Sequence, residues 1–385
     1  MNTRGDMGIY LLCLATFVTF LSAKLIAPIL PILAAQLGAE DLSLASVSGA
    51  YVVFLALFQI FTGAFADRFG RRRTIALGSS IAAFSSLLCV FARSWEQLLI
   101  LRAFGGAADA FTGPALLALV AELSGTRKGK AMGVFRSSQG LSLIIGPMIG
   151  GGIAYFFSVY APFFADFALT LLGIALFLLL VPEARRRREA SPPLQSLKFI
   201  ARDLGLMKVA FLGFTETFAF AALTSFLPAL AVELHMTEIE IATLFTAEAT
   251  SFTLTNIVVG VLSDKVGRKP LMLIGLLSSA VDLTTFFFAR DYWQILLLMT
   301  FYGFGSSSVY IMSSTMAVDI LPEENRAMLF GAFDAFMDLG LVIGPAFCFT
   351  ILAISGWTIN SSFPLMAIPS LMAFGLIFSL KETKA

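Results

Sequence analysis

The chain has 385 residues, of which 58% are hydrophobic and 13% are charged, and its mean hydropathy is +0.88. These values lie far outside the averages of soluble globular domains and predict a membrane protein. The formal net charge is only +1 at pH 7, so the overall charge gives no indication of nucleic-acid binding.

Long apolar runs follow one another along the chain. A helix needs about 20 apolar residues to cross the bilayer core, where backbone polar groups must be satisfied within a helix or a closed barrel. The runs have this length and therefore predict helices. We predict an all-α membrane protein of twelve transmembrane helices, at residues 8–33, 43–66, 73–93, 96–122, 130–157, 161–181, 205–232, 239–263, 270–290, 292–318, 326–353 and 361–380.

The first apolar run is expected to be a transmembrane helix. It is too long for the core of a signal peptide and has no small-residue cleavage pattern. Cys13, Cys89 and Cys348 lie within apolar runs. They are expected to be core residues, and not disulfides or metal ligands.

Basic residues are concentrated in the loops on one side of the predicted membrane helices. If the N-terminus is cytoplasmic, only Arg93 and Arg290 of the loop cations fall on the outer side. The cytoplasmic side then carries basic residues at 4, 68, 71–73, 127–130, 185–188, 198, 202, 208, 265–269, 326, 381 and 384. By the positive-inside rule, this asymmetry predicts a cell-membrane protein with both termini in the cytoplasm.

Two sequence patterns occur twice. The stretch GAFADRFGRRRT at 63–74 recurs as GVLSDKVGRKPL at 260–271, and GVFRSSQGLSLIIGP at 133–147 recurs as GAFDAFMDLGLVIGP at 331–345. The offsets are 197 and 198 residues. A hydrophilic stretch lies between the sixth and seventh helices. The sequence therefore predicts two related six-helix bundles, at 1–181 and 205–385, joined by a cytoplasmic linker at 182–204.

These motifs make the chain similar to the major facilitator superfamily over essentially its whole length. GAFADRFGRRR resembles the signature of that family between the second and third helices, and GVLSDKVGRK resembles its echo in the second half. LRAFGGAADAF at 101–111 is similar to the arginine-bearing motif of the fourth helix, and GLSLIIGPMIGG at 140–151 is similar to the Gly-Pro motif of drug:proton antiporters. The resemblance implies a monomeric, proton-coupled transporter of small molecules that works by alternating access.

The repeated loops carry charges that the resemblance assigns to a conformational latch. Asp67 ends the second predicted helix, where an unpaired carboxylate is costly, so it needs partners. Its implied partners are Arg71 and Glu122. The residues 197 positions later, Asp264, Arg268 and Asp319, form a second set of acid, base and acid. These contacts are expected to hold the cytoplasmic side closed; alternatively, the charges only set the topology. The latch residues are Gly63, Asp67, Gly70, Arg71, Glu122, Asp264, Gly267, Arg268 and Asp319.

The Gly-Pro motif is expected to let helices approach closely and to bend the fifth helix. Its residues are Gly146, Pro147, Gly150 and Gly151. Tight packing alone would need the same glycines. The resemblance implies a further role in preventing leak.

Ionisable residues inside the membrane are costly and mark ion or substrate paths. Nine lie away from the ends of the predicted helices: Lys24, Arg102, Asp109, Arg136, Glu216, Glu248, Asp282, Asp334 and Asp338. Since the resemblance implies that helices 1, 4, 7 and 10 line the cavity, the substrate or proton site is expected to contain Lys24, Arg102, Asp109 and Glu216, followed by Glu248 and Asp338. Asp282, on an outer helix, is expected to be structural.

Glu216 and Asp109 are the preferred proton carriers, and the alternative is a permanent pair with Lys24 or Arg102. Lys24 departs from cation exporters of the family, in which an acid is common at this part of the first helix. Two roles stay open for it: counter-ion of a cavity carboxylate, which we favour, or ligand of an anionic substrate group.

The sequence lacks the residues that other classes of function would need. The sequence has no phosphate-binding loop and a single histidine, His235, so ATP drive, a metal site and a cofactor are not expected. The sequence shows no nucleophile and general base at a spacing that would let them act together, so the protein is not expected to be an enzyme. We predict an exporter of small, partly apolar compounds. The alternatives are a symporter that imports an organic anion, a lipid flippase and, last, a receptor that transports nothing.

Overall fold

The computed structural model describes residues 3–113, 115–116, 119–120, 128–181, 200, 202–322 and 326–380. All regular structure in this part of the chain is helical. The first half contains α1 (Thr3–Leu25), α2 (Leu30–Gln36), α3 (Asp41–Phe69), α4 (Arg71–Leu88), α5 (Trp95–Asp109), α6 (Lys128–Phe156) and α7 (Ala161–Leu180). The second half contains α8 (Leu204–Glu233), α9 (Glu238–Val266), α10 (Arg268–Phe286), α11 (Tyr292–Ile320), α12 (Arg326–Ser355) and α13 (Ser362–Phe378).

The all-α class is confirmed, and each predicted span contains a helix. Within the described residues, ten helices are long and apolar enough to cross a membrane, and the shorter apolar helix Leu42–Leu55 lies within α3. Large apolar side chains such as Phe104, Leu179 and Ile257 are exposed on the helix surfaces. Such surfaces suit a chain whose surroundings are lipid.

Two predicted spans are not continuous α-helices. The first is interrupted at 26–29, between α1 and α2, where Pro28 has no N–H to donate and restricts the residue before it. In the fourth, α5 ends at Asp109 and turns of the tighter i→i−3 type follow, with Phe111 N donating to Ala108 O at 3.1 Å. The predicted spans therefore stand, and the first still counts as one span at Leu11–Gln36, but each contains a local change of helix geometry that the sequence prediction did not specify.

The described residues form two compact units by their contacts. Unit 1 contains residues 3–181 together with His235–Thr246, and unit 2 contains residues 200–234 and 247–380. In unit 1, α1 packs against α6 and α7, and α5 packs against α3 and α4. In unit 2, α8 packs against α12, and α10 packs against α11 and α13. The predicted domain boundaries stay a prediction, because most of the linker at 182–204 lies outside the described residues.

The repeat in the sequence is also a repeat of backbone geometry. Gly70 precedes α4 with φ +92°, and Gly267 precedes α10 with φ +98°. Residues with a side chain rarely adopt a backbone φ in this positive range, so both turns require glycine.

Close helix contacts recur at the same offset. A Cβ atom added at Gly78 would lie 2.7 Å from Ala108 O, and one added at Gly275 would lie 2.8 Å from Gly305 O. In the same way, Gly106 on α5 faces the carbonyl of Tyr51, and a Cβ atom at Gly303 on α11 would lie 2.5 Å from Glu248 O. The two units therefore share their internal packing.

The Gly-Pro motif also brings helices together. Gly146 and Gly150 on α6 face Lys24 and the Leu25 carbonyl of α1, and a Cβ atom at Gly151 would lie 2.8 Å from Glu238 O. The helix continues through Pro147. Close approach is thus seen at three glycines of the motif, while its role in preventing leak stays a prediction.

The repeated glycine contacts predict a paired effect on stability. Gly106→Ala and Gly303→Ala each push a methyl group into a facing backbone carbonyl, which cannot move like a side-chain end, so each is expected to cost about 1–3 kcal/mol. Gly375→Ala is the control, since nothing lies within 4 Å of a Cβ atom there. Thermal unfolding of the purified variants measures this. Equal midpoints for all three variants would contradict the contacts.

Candidate functional site

A tyrosine joins two buried charged residues in unit 1. Tyr51 on α3 donates from Oη to Asp109 Oδ2 on α5, at 2.6 Å. The Arg102 Cζ atom lies 4.3 Å from the centroid of the same ring, a distance at which the cation is attracted to the ring face. Arg102 and Asp109 are seven residues apart and lie on one face of α5. In the described part of the chain they share Tyr51, with no ion pair between them.

Lys24 belongs to the same electrostatic neighbourhood. It lies in the last turn of α1, just before the chain leaves the helix, and is half-buried. Its charge and that of Arg102 both act on Asp109. Unit 1 therefore brings together three of the four residues ranked first from the sequence. Glu216 belongs to unit 2, so its proposed pairing with Lys24 stays a prediction.

One buried acid, Asp166 on α7, is not among the residues predicted from the sequence. Its side chain is 4% exposed, and Thr170 Oγ1 donates to its Oδ1 at 3.3 Å. The Thr170 hydroxyl also lies 2.7 Å from Ser22 Oγ of α1. Asp166 lies in the second turn of α7, so the requirement for a position away from helix ends removed it. Its isolation as the only acid of the run at 161–181 was the available indication.

Unit 2 contains a second carboxyl–tyrosine pair. Tyr302 on α11 donates from Oη to Glu216 Oε1 on α8, at 3.0 Å, and both side chains are buried. Ser306, one turn further along α11, is also buried, and its Oγ has no hydrogen-bond partner in the part of the chain described here. Glu248 is buried on α9, where its backbone carbonyl contacts Gly303.

The other acids differ in their surroundings. Asp334 and Asp338 on α12 are half-buried. Asp282 on α10 accepts a hydrogen bond from Ser278 Oγ at 3.3 Å, one turn away on its own helix. The side chain of Arg136 lies outside the described residues.

Two residues of the predicted latch form an ion pair within unit 2. Arg268 Nε lies 3.3 Å from Asp319 Oδ2, and the guanidinium also donates to Ser263 O at 3.2 Å. The Arg268 side chain is almost fully buried, whereas that of Asp319 is 27% exposed. The side chains of Asp67 and Asp264 and the whole of Glu122 lie outside the described residues. Their roles stay predictions.

A further basic residue in each repeat has a role that sequence reasoning missed. Arg72 donates to the carbonyl of Leu178 near the end of α7, and Lys269 Nζ donates to Leu380 O beyond the end of α13, at 2.7 Å. The two cations are 197 residues apart. Cations favour helix C-terminal ends, where carbonyl groups are unsatisfied, so each one contacts the end of the last helix in its half of the sequence.

The fold and the repeated motifs agree with a match to the family model described as the Major Facilitator Superfamily, over residues 12–228 and again over 209–385. The chain belongs to this superfamily and is a multi-span membrane transporter of small molecules. The predicted membership and the fold of twelve helices in two related six-helix bundles are confirmed.

Three proteins illustrate what the chain is similar to. An uncharacterized MFS-type transporter of Methanocaldococcus jannaschii is 24% identical over 383 residues, which cover 97% of this chain and 96% of that protein. Multidrug resistance protein 2 of Bacillus subtilis is 25% identical over 342 residues, covering 86% and 85%. The crystal structure of a bacterial homolog of the human lysosomal transporter Spinster has a TM-score of 0.74 at 15% identity, covering 98% of this chain and 97% of that one.

The Arg268–Asp319 ion pair predicts a measurable coupling. Asp319→Asn leaves a buried guanidinium with a weaker partner and is expected to cost about 2 kcal/mol, less than a fully buried pair because Asp319 is partly exposed. In a double-mutant cycle with Arg268→Gln, the coupling energy should exceed about 1 kcal/mol in thermal unfolding. Glu96→Gln, at an exposed site on α5, serves as the control and should change little. A coupling energy near zero would show that the ion pair does not contribute to stability.

Proposed function

We propose that the protein is a proton-coupled antiporter that exports small, partly apolar compounds across the cell membrane by alternating access. The observation that carries the proposal is a carboxyl group bonded to a tyrosine hydroxyl inside each unit: Asp109 with Tyr51, and Glu216 with Tyr302. The name of the multidrug resistance relative supports export and an adaptable apolar substrate.

These pairs have the chemistry that proton exchange needs. A carboxyl group in a low-dielectric site binds a proton readily, since burial disfavours its charged form, while a donor hydroxyl stabilises the carboxylate when the proton leaves. A tyrosine hydroxyl serves both states, because it donates to the carboxylate and accepts from the carboxylic acid. Asp109 and Glu216 therefore take the role of proton carriers, with Glu248 and Asp338 as the next candidates.

The remaining charges take supporting roles in the proposal. The paired sets at Asp67 and Asp264 act as the latch that favours the outward-open state, and the loop cations keep both termini in the cytoplasm. Substrate and proton compete for the cavity. Release of a proton to the cytoplasm then accompanies the movement of a substrate outward, and the protein works as a monomer.

Amide variants of the two carriers test the coupling. Asp109→Asn and Glu216→Gln keep size and hydrogen bonding but cannot titrate, so each is expected to abolish uphill transport driven by a pH gradient while downhill exchange persists. Export of a fluorescent cationic dye from proteoliposomes, with and without the gradient, measures both activities.

Asp282→Asn is the matched control, because it removes a buried acid that is bonded only within its own helix in the described structure. It should keep gradient-driven transport. Normal uphill transport by both carrier variants would place the proton site elsewhere, whereas loss in all three variants would indicate general damage.

A symporter that imports an organic anion is the second candidate. The observation that favours it is Arg102, whose Nε is buried without a hydrogen-bond partner among the described residues and whose charge, like that of Lys24, acts on Asp109. Two cations whose charges act on the same residue could bind the carboxylate or phosphate group of a substrate.

Lys24→Ala separates the two candidates. If Lys24 holds an anionic substrate group, its loss removes a charged hydrogen bond of about 1.5–3 kcal/mol, which weakens the affinity for anions about ten- to a hundredfold. If Lys24 is a counter-ion, as we expect, its loss leaves a cavity carboxyl group without its cation, so transport persists with its pH optimum moved upward and no large affinity loss is confined to anions. Binding titrations with one anionic and one cationic compound measure this, with Arg93→Ala at an exposed loop position as the control. An affinity loss confined to anions would favour the symporter.

A further inference from the structure

A third stretch of the sequence recurs at the offset of 197 residues, and it contains neither latch residues nor proton carriers. FARSWEQ at 91–97 recurs as FARDYWQ at 288–294; we call these two stretches the FAR turns. They connect α4 to α5 in unit 1 and α10 to α11 in unit 2. Because α4 and α10 begin at the repeated basic loops and are long enough to span the membrane, each FAR turn lies on the opposite side of the membrane from the basic loop of its own unit.

The two FAR turns have the same backbone geometry. In the first, Gln97 Oε1 accepts a hydrogen bond from the backbone N–H of Arg93 at 2.9 Å. In the second, Gln294 Oε1 accepts one from the backbone N–H of Arg290 at 2.9 Å. The residue before α5 has φ −148° and ψ 157°, and the residue before α11 has φ −142° and ψ 163°. Each arginine therefore leaves the backbone at an equivalent, fixed point.

Each FAR turn presents one aromatic and one basic side chain outward. The Phe91 side chain is 66% exposed and that of Phe288 is 67% exposed. Arg93 and Arg290, two residues further along, are exposed as well. Packing within the units leaves these four side chains uncovered, so they are available to a partner outside each unit.

The two arginines have little to neutralise them. In the described part of the chain, neither guanidinium group forms an ion pair with an acid. Arg290 Nη1 donates to Phe287 O at 3.2 Å and to Ala289 O at 3.0 Å, near the end of α10, where a cation is favoured. The Arg93 guanidinium has no such bond among the described residues. A role at a helix end therefore does not account for the arginine that both FAR turns carry.

An exposed phenylalanine beside an exposed arginine matches the boundary between acyl chains and lipid headgroups. The ring can stay against acyl chains while the long arginine side chain carries its charge to the level of the phosphate groups. The planar guanidinium group donates two parallel hydrogen bonds to a phosphate group. In unit 2 the exposed Trp293 adds an aromatic ring of the type that is enriched at this boundary.

We propose that each FAR turn binds the phosphate group of an anionic phospholipid, with the arginine on the phosphate and the phenylalanine against the acyl chains. The lipid belongs to the leaflet away from the basic loops. This interaction goes beyond the proposed antiport and does not depend on it, because lipid binding needs neither a substrate nor a proton gradient.

Tryptophan fluorescence reports on each FAR turn separately, since the chain has only three tryptophans. Trp95 lies in the first FAR turn and Trp293 in the second. Trp357, which is 57% exposed, lies in the loop between α12 and α13, where there is no cation. Variants that keep one tryptophan and carry phenylalanine at the other two positions give three reporters.

Each full-length reporter is reconstituted in liposomes of two lipids with equal chain length. One is phosphatidylglycerol with brominated acyl chains, and the other is a glucosyl diacylglycerol, which has no phosphate group. Bromine quenches tryptophan fluorescence on contact. The extent of quenching over a range of lipid mixtures therefore measures which lipid lies next to each reporter.

We expect Trp95 and Trp293 to report about fivefold tighter binding of phosphatidylglycerol than of the glycolipid, the effect of one cation near an anionic surface. Arg93→Gln should remove the preference at Trp95 and keep that at Trp293. Arg290→Gln should do the reverse. Trp357, the control, should show no preference. A preference that both substitutions leave unchanged, or an equal one at Trp357, would overturn the proposal.

Reversed labelling covers the case in which an arginine variant does not fold. Both arginines are kept and the bromine is placed on the glycolipid, so quenching at Trp95 and Trp293 should fall below that at Trp357. Soluble glycerol phosphate distinguishes a lipid from a free phosphate ester and should leave the quenching unchanged. Equal quenching at the three reporters, or loss of the preference on adding glycerol phosphate, would also overturn the proposal.

Discussion

The contact of a glycine with a facing backbone carbonyl is the constraint on which the interior of each unit depends. Gly106 brings α5 against the backbone of α3 at Tyr51, and Gly303 brings α11 against α9 at Glu248. In lipid, helices gain little from burying apolar surface against each other, so small residues and interhelical hydrogen bonds provide the association. At the distance that Gly106 permits, the Tyr51 hydroxyl reaches Asp109 on the facing helix. A larger residue at this position would move α5 away from α3, and with it Asp109 away from the Tyr51 hydroxyl.

The repeat preserves packing while its polar chemistry differs between the units. The position of Tyr51 is taken by Glu248 in unit 2, and that of Asp109 by Ser306. The carboxyl–tyrosine pair consequently joins α3 and α5 in unit 1 but α8 and α11 in unit 2. The backbone contacts at the glycines are therefore the same in both units, whereas the polar side chains beside them differ.

Much of this organisation could be predicted from the sequence, because the membrane limits the choices. A run of about 20 apolar residues has few alternatives to a helix. The offset of 197 residues between two charged loops, applied to the charged set that the family resemblance implies, indicates a second set that contains Arg268 and Asp319, and these two residues form an ion pair. The breaks at 26–29 and after Asp109 were missed although prolines stand nearby, since neighbouring helices often satisfy the groups that a proline frees. Asp166 was missed for another reason. Its importance comes from Thr170 and Ser22, and no sequence distance reveals that α1 and α7 lie side by side.

The break after α1 has an electrical consequence. Ile29 N donates to Ile26 O, so the carbonyl of Leu25 loses its partner within the helix, and the negative end of the α1 dipole comes to lie one residue after Lys24 instead of at the end of the predicted span. An ammonium group near such an end gains about 0.3–1 kcal/mol from the backbone itself. The peptide groups of α1 thus act as a fixed fractional anion for Lys24. They respond to the sign of the charge at this position and hardly to its shape, so an arginine there would keep this stabilisation and a methionine of similar length would lose it.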